Sequence, residues 1–207
     1  MGMSLPDYQL EEFLRGRGYT RIAGVDEVGR GPLAGPVMAA AVILDPSDIP
    51  DGLNDSKKLS EKRRAALEEQ LLDRAQVAVA EASVEEIEQH NILRAAHLAM
   101  IRAVAELDPA PDFLLIDGNL IPKGLTLPAQ PVIKGDTRSV SIAAASIVAK
   151  MHRDRVMVDL AQQHPQYGWA RNKGYPTLEH RTALRNLGPT PHHRRSFKPV
   201  HNILYQG

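Results

Sequence analysis

From Val37 to Leu44 the chain reads Val-Met-Ala-Ala-Ala-Val-Ile-Leu, an apolar run with no polar interruption. A strand with one face in water alternates apolar and polar side chains, so a run without polar positions is a strand covered on both faces. The rest of the chain must therefore supply a layer on each side of a sheet. Helical patterns are at hand for that. Ser60 caps a helix over 60–74 with Leu67, Leu71 and Leu72 facing inward. Ser83 and Glu86 stand at capping-box spacing, and the helix they open carries Leu93, Ala96, Met100, Val104 and Leu107 on one stripe. It stops at Asp108-Pro109, where the proline disfavours helix before it. A long helix over 141–163 begins with Ala143, Ala144, Ala145 and Ala149, residues small enough for close packing on a sheet.

Further strand patterns lie at 21–25, 76–82 (where Val77 and Val79 alternate with Ala78 and Ala80), 113–116 and 131–133. A short helix over 7–16 precedes them, a helix over 177–187 follows, and 45–54 is a Pro/Asp/Gly loop. The remaining tail is rich in Pro, His and Arg. Three early strands, then helices alternating with two more, predict an α/β domain with a central five-stranded mixed sheet flanked by helices and a helical C-terminal segment. The 207 residues suffice for one such domain over 21–207, preceded by an N-terminal arm at 1–20.

Carboxylates mark the ends of these strands. Asp26 and Glu27 follow the first, Asp117 follows 113–116, and Asp136 follows 131–133 across Lys134-Gly135. One sheet can gather such ends at a single edge. Acids so gathered do not all stay ionised unless divalent cations neutralise them. Oxygen donors without thiolate select Mg²⁺ or Mn²⁺, and two such ions roughly 3.5–4 Å apart suit in-line phosphodiester hydrolysis. Side chains alternate along a regular strand, so Asp26 and Glu27 converge only where the strand ends or twists, and Glu27 can act directly or through water. An Asp-Gly pair such as Asp117-Gly118 is also an ordinary turn. The spacing Gly29-x-Gly31-x-x-x-Gly35, with Pro32 and Pro36, differs from the dinucleotide-binding motif. It reads instead as a tight turn that exposes backbone to a sugar or phosphate, with Arg30 beside the anion.

Charge and composition narrow the setting. Acids and bases balance at 25 each, but 171–207 holds Arg171, Lys173, Arg181, Arg185, Arg194, Arg195 and Lys198 against Glu179 alone. That asymmetry predicts a polyanion gripped by the C-terminal segment. There is no cysteine, which excludes disulfides, thiolate metal sites and cysteine nucleophiles. No apolar signal core opens the chain and no run approaches about 20 residues, so a cytoplasmic protein that does not enter membranes is expected. Nothing demands a dimer, and a monomer is expected.

The run Asp26-Glu27-Val28-Gly29-Arg30-Gly31-Pro32-Leu33-Ala34-Gly35-Pro36-Val37 resembles the signature of type 2 ribonuclease H, the bacterial ribonuclease HII family. Asn54-Asp55-Ser56-Lys57-Lys58-Leu59, Ile116-Asp117-Gly118, Lys134-Gly135-Asp136, the segment 141–150, Arg153-Asp154-Arg155 and Gly174-Tyr175-Pro176-Thr177 resemble it further, in family order. The resemblance implies a ribonuclease H-like fold and a divalent-metal endonuclease. Its substrates would be RNA–DNA hybrids and duplex DNA containing ribonucleotides, cut on the 5′ side of a single ribonucleotide. It places the family's four acids on Asp26, Glu27, Asp117 and Asp136, its ribose-reading turn on Gly29, Arg30 and Gly31, and its junction-sensing tyrosine on Tyr175. Asp26 and Asp117 are then the principal metal ligands, and Asp136 holds a second ion or positions the attacking water.

Other residues admit two readings. Ser146 and Lys150, at i and i+4 on one helix face, either support a phosphate contact or pack. Lys57, Lys58, Lys62, Arg63 and Arg64 either touch phosphates or form a solvated face. Asp154 reads as an ion-pair partner of the flanking Arg153 and Arg155, and His192-His193-Arg194-Arg195 as a basic tail for nucleic acid or a solvated end. A non-catalytic nucleic-acid-binding module fits the basic segment equally well, and a metal-supplemented nuclease assay separates it from the enzyme.

Overall fold

Strand β2 (Val37–Leu44) lies inside a sheet ordered β3-β2-β1-β4-β5, in a computed structural model that describes residues 5–205. Its partners are β1 (Ile22–Val28), β3 (Ala75–Ala82), β4 (Phe113–Asp117) and β5 (Ala129–Val132). Strands β3, β2 and β1 pair antiparallel, and β1, β4 and β5 pair parallel, giving the mixed five-stranded sheet. Every residue of β2 is buried. Ala39, Ala41 and Ile43 join the cluster under α3 (Val84–Ala105). Ala40, Val42 and Leu44 join the opposite cluster, with Leu67 and Leu71 of α2 (Glu61–Arg74) and Ala143 to Ala149 of α4 (Val140–Gln163).

The capping box of α3 is present: the Glu86 amide donates to Ser83 Oγ and the Ser83 amide to Glu86 Oε2. The helix is broken at Asn91, whose φ of 67° lies in the left-handed region. Leu72, expected inward, is 55 % exposed, because one helical step turns it away from the face that Leu71 buries. Close packing of α4 on the sheet has a second source besides its alanines. A Cβ on Gly24 of β1 would lie 2.1 Å from the Ser141 carbonyl carbon. The N-terminal arm is docked: Glu11 of α1 (Gln9–Arg15) is buried and accepts from Ser139 Oγ (2.6 Å) and the Ser141 amide (3.1 Å), at the start of α4.

After α4 come α5 (Trp169–Asn172), α6 (Leu178–Leu187) and α7 (Lys198–Tyr205). Helix α7 lies in the Pro-, His- and Arg-rich tail; Pro199 sits in its first turn, where a missing N–H costs nothing. These helices close over Leu33, Ala34, Met157, Tyr167, Trp169, Leu184 and Val200. Residues 1–4 of the arm and 206–207 of the basic segment lie outside the described residues. Among the described residues, no helix is long and apolar enough to cross a membrane.

Candidate active site

Asp26, Glu27 and Asp117 each offer a carboxylate oxygen within 4.8 Å of the others. Strand β1 does not end between its two acids but runs on to Val28, paired with β2 throughout. The ladder to β4 does end, at Val25 and Ile116, so the two strands part beyond it. Alternation puts Asp26 on the α4 side and Glu27 on the α3 side, and the carboxylates meet across that opening. Asp26 Oδ1 accepts from the Glu27 amide (2.7 Å), and Asp117 Oδ1 accepts from the Gly135 amide (2.7 Å). Glu27 Oε1 accepts from Arg30 Nη1 (3.1 Å), so the Arg30 guanidinium leans on an acid of the cluster.

Burial pushes the Asp26 carboxyl well above its ordinary range, and the charges of Glu27, Asp117 and Asp136 push it further. Burial raises Glu27 too, against the opposing bond and charge of Arg30. Asp136 stands on a 3₁₀ turn (Gly135–Thr137) outside the tight group, yet near enough to raise Asp26. Burial, then Asp55 and Asp117, raise Asp136, while Lys57 and Lys58 oppose them. For Lys57, burial pulls the ammonium down but Asp26, Asp55, Asp136 and Asp117 outweigh it and raise its pKa. Oxygen donors gathered around one buried carboxylate, Asp26, with Glu27 and Asp117 half-buried beside it, fit a hard divalent cation.

Beside the acids runs the glycine turn. Gly29 has φ 95°, and a Cβ there would strike the Arg153 side chain at 2.2 Å. Gly31 is exposed and has Tyr175 as its neighbour, 3.5 Å from where its Cβ would stand. Tyr175 is 40 % exposed, and its loop is tied to the turn by the bond from the Leu33 amide to the Gly174 carbonyl (2.8 Å). A cleft of about 240 Å³ on the α3 side is lined by Glu27, Arg30, His97, Met100, Asp117 and Leu120 among others.

Several residues differ from expectation. Arg194 is no solvated end: it is fully buried and donates to the carbonyls of Gly29 (2.6 Å), Arg30 (3.2 Å), Pro32 (2.9 Å), Gly35 (2.9 Å) and Pro36 (3.1 Å). Arg153, equally buried, donates to Ala34 (3.1 Å), Pro36 (3.0 Å) and Lys173 (3.0 Å). Burial lowers Arg194 to about 9 and Arg153 to about 10, so both remain guanidinium at neutral pH. Asp154 therefore pairs with neither neighbour but with Lys150 (2.7 Å), and Arg155 pairs with Glu68 (2.6 Å). Ser146 is buried with its hydroxyl on Ser56 (2.8 Å), and Lys150 is occupied by Asp154, so packing is the reading the geometry favours for that pair. Arg63 and Arg64 hold carbonyls of the 51–59 loop, whereas Lys57, Lys58 and Lys62 are exposed.

Sequence reasoning missed Arg153, Arg194 and a buried pair, His180 and His193. His180 Nε2 lies 3.0 Å from His193 Nε2, and His180 Nδ1 lies 3.0 Å from the Tyr175 carbonyl. An arginine in Arg-Arg or Arg-Asp-Arg carries no local mark of burial. Nor does a histidine inside a basic tail.

The sequence model of the family described as Ribonuclease HII matches residues 23–200. The ribonuclease HII of Ruegeria pomeroyi is 75 % identical over 205 residues, covering 99 % of this chain and 88 % of that protein. That of Ruegeria sp. (strain TM1040) is 72 % identical, covering 99 % and 90 %. The crystal structure of ribonuclease H2 from Pyrococcus horikoshii OT3 superposes with a TM-score of 0.75 at 26 % identity, covering 89 % of this chain and 97 % of that one.

Proposed function

The chain belongs to the ribonuclease HII family and is a nuclease of the ribonuclease H type, and on that premise we propose a specific reaction for it. It hydrolyses the RNA strand of RNA–DNA hybrids and incises duplex DNA on the 5′ side of a single embedded ribonucleotide, leaving 3′-hydroxyl and 5′-phosphate ends. That incision would open ribonucleotide removal, carried out by a monomer in the cytoplasm. The observation that carries the reading is the meeting of three carboxylates from two strands within 4.8 Å, beside an exposed glycine turn faced by Tyr175.

Asp26, Glu27 and Asp117 would hold Mg²⁺ or Mn²⁺. When bound, two such ions supply an activated water and a charge to steady the leaving oxygen. Asp136, outside the tight group with a raised pKa, orients the attacking water. Arg30 keeps Glu27 facing the cluster. The 29–31 turn presents main chain where a side chain would block approach, which suits reading of a 2′-hydroxyl. Tyr175 offers a ring to a sugar at the junction.

The test is strand cleavage of a DNA duplex carrying one ribonucleotide, with and without divalent metal, mapping the cut. Metal-dependent cutting on the 5′ side of the ribonucleotide is expected, with the all-DNA duplex bound but uncut. Full activity in EDTA, or equal cutting of the all-DNA duplex, would defeat the reading. Asp26→Asn combined with Asp117→Asn should abolish cleavage and leave hybrid binding measurable.

A further inference from the structure

Across residues 29–36 every backbone carbonyl except that of Gly31 accepts a hydrogen bond from Arg153 or Arg194, including the bond from the Arg194 amide to Leu33 (2.8 Å). Neither guanidinium has a carboxylate within salt-bridge reach among the described residues. Among the same residues, the Gly31 carbonyl and the amides of Arg30 and Gly31 have no hydrogen-bond partner. The turn is thus polarised: its inner acceptors are consumed and its outer edge, at exposed Gly31 beside Tyr175, keeps a donor and an acceptor set for a ligand.

A buried cation is an expensive way to fill space, and apolar replacements of buried charges are often neutral or better for stability. A guanidinium, however, holds five N–H donors in one rigid plane, which a lysine or an apolar side chain cannot copy. That fits a group kept for shape. We infer that Arg194 is a positioning residue for sugar discrimination, fixing the 29–36 turn from within so that its outer edge at residues 30–31 meets a 2′-hydroxyl. This rests on the proposed role of the 29–31 turn as the ribose reader. Arg194 touches no substrate; it acts through the backbone it holds.

The experiment uses the intact protein, Arg194→Lys and Arg194→Met. Affinities for a DNA duplex with one ribonucleotide and for its all-DNA counterpart are measured in EDTA, alongside thermal unfolding and amide exchange over residues 29–36. Arg194→Lys should keep its all-DNA affinity while its preference for the ribonucleotide duplex falls toward one. Its kcat/KM on that duplex should drop by roughly 10²-fold, the scale of a small misplacement of a binding group. Exchange in the turn should speed up while the sheet stays protected. A preference kept at the wild-type ratio in a less stable Arg194→Lys overturns the inference, since the role would then be structural alone. Loss of the fold in both variants overturns it too, for Arg194 would then hold the domain and not the turn. A wild-type protein with no preference defeats the ribose-reading assignment itself, an outcome distinct from discrimination that survives the substitution.

Discussion

His193 is 1 % exposed, and its Nδ1 accepts from the Thr190 amide at 2.9 Å. Burial, then the neighbouring His180, His164 and His192, hold its pKa down to about 3. A base whose folded pKa lies below its unfolded value stabilises fully above the unfolded value, near 6.5, and loses that contribution as pH falls toward 3. Unfolding free energy should therefore decline from pH 6.5 downward, with His193 adding up to about 1.4 kcal/mol per pH unit. Urea unfolding at several pH values should show a shallower decline in His193→Gln, and an unchanged slope would refute the assignment. Asp26 runs in the opposite sense. Its raised folded pKa means that metal-free protein loses stability as pH climbs through that value. Asp26→Asn should melt higher than wild type in EDTA at pH 8. It should forgo the gain from metal, about 2.7 kcal/mol at a hundredfold excess over Kd; calorimetry with and without Mn²⁺ checks both. The meeting of Asp26, Glu27 and Asp117 was legible because these acids stand where apolar strand runs stop, whereas Asp136, set on a turn beyond its strand, lies outside the tight group. Arg194 was not, because burial depends on what encloses a residue and Arg194 is enclosed by a turn far earlier in the chain.

At the scale of elements, glycines set how near the pieces approach. Gly24→Ala would drive a methyl into the Ser141 backbone, where no rotamer can yield. A cost of about 3 kcal/mol, the upper part of the range for overpacking, is expected in urea unfolding. Gly135→Ala would crowd Ile142 Cδ1 at 2.5 Å and Asp117 Oδ1 at 3.2 Å, displacing the amide that holds the Asp117 carboxylate. Metal affinity should fall about tenfold, as is usual when a group orienting a ligand is disturbed, with little change in melting of the metal-free protein. Isothermal titration with Mn²⁺ measures it. Strand β2 and helix α4 were readable because eight apolar residues and a row of alanines admit few placements. The break at Asn91 and helix α7 were not, since one residue in a left-handed conformation leaves no periodic mark and a two-turn helix with a proline in its first turn is too short to stand out from the tail around it.

For the whole molecule the relevant quantity is charge at the surface. The basic excess of 171–207 is smaller there than the sequence implies, because Arg194 is interior and Arg171 pairs with Glu179. Arg181 and Arg185 are exposed and line a groove between α6 and α7. Hybrid binding in EDTA should weaken with salt, and Arg181→Ala with Arg185→Ala should flatten the log–log slope by about 0.9 for each phosphate no longer neutralised. An unaltered slope would place the anion elsewhere. There is also a consequence for how the enzyme comes into being. Of the clustered acids, Asp26 and Glu27 emerge early in synthesis, on β1, and Asp117 follows on β4, but the guanidinium that gives the neighbouring turn its form is made after every helix except α7. A chain translated only as far as β4 thus carries all three clustered carboxylates before the side chain that shapes the turn beside them, and that turn takes its form only as the C-terminal segment docks.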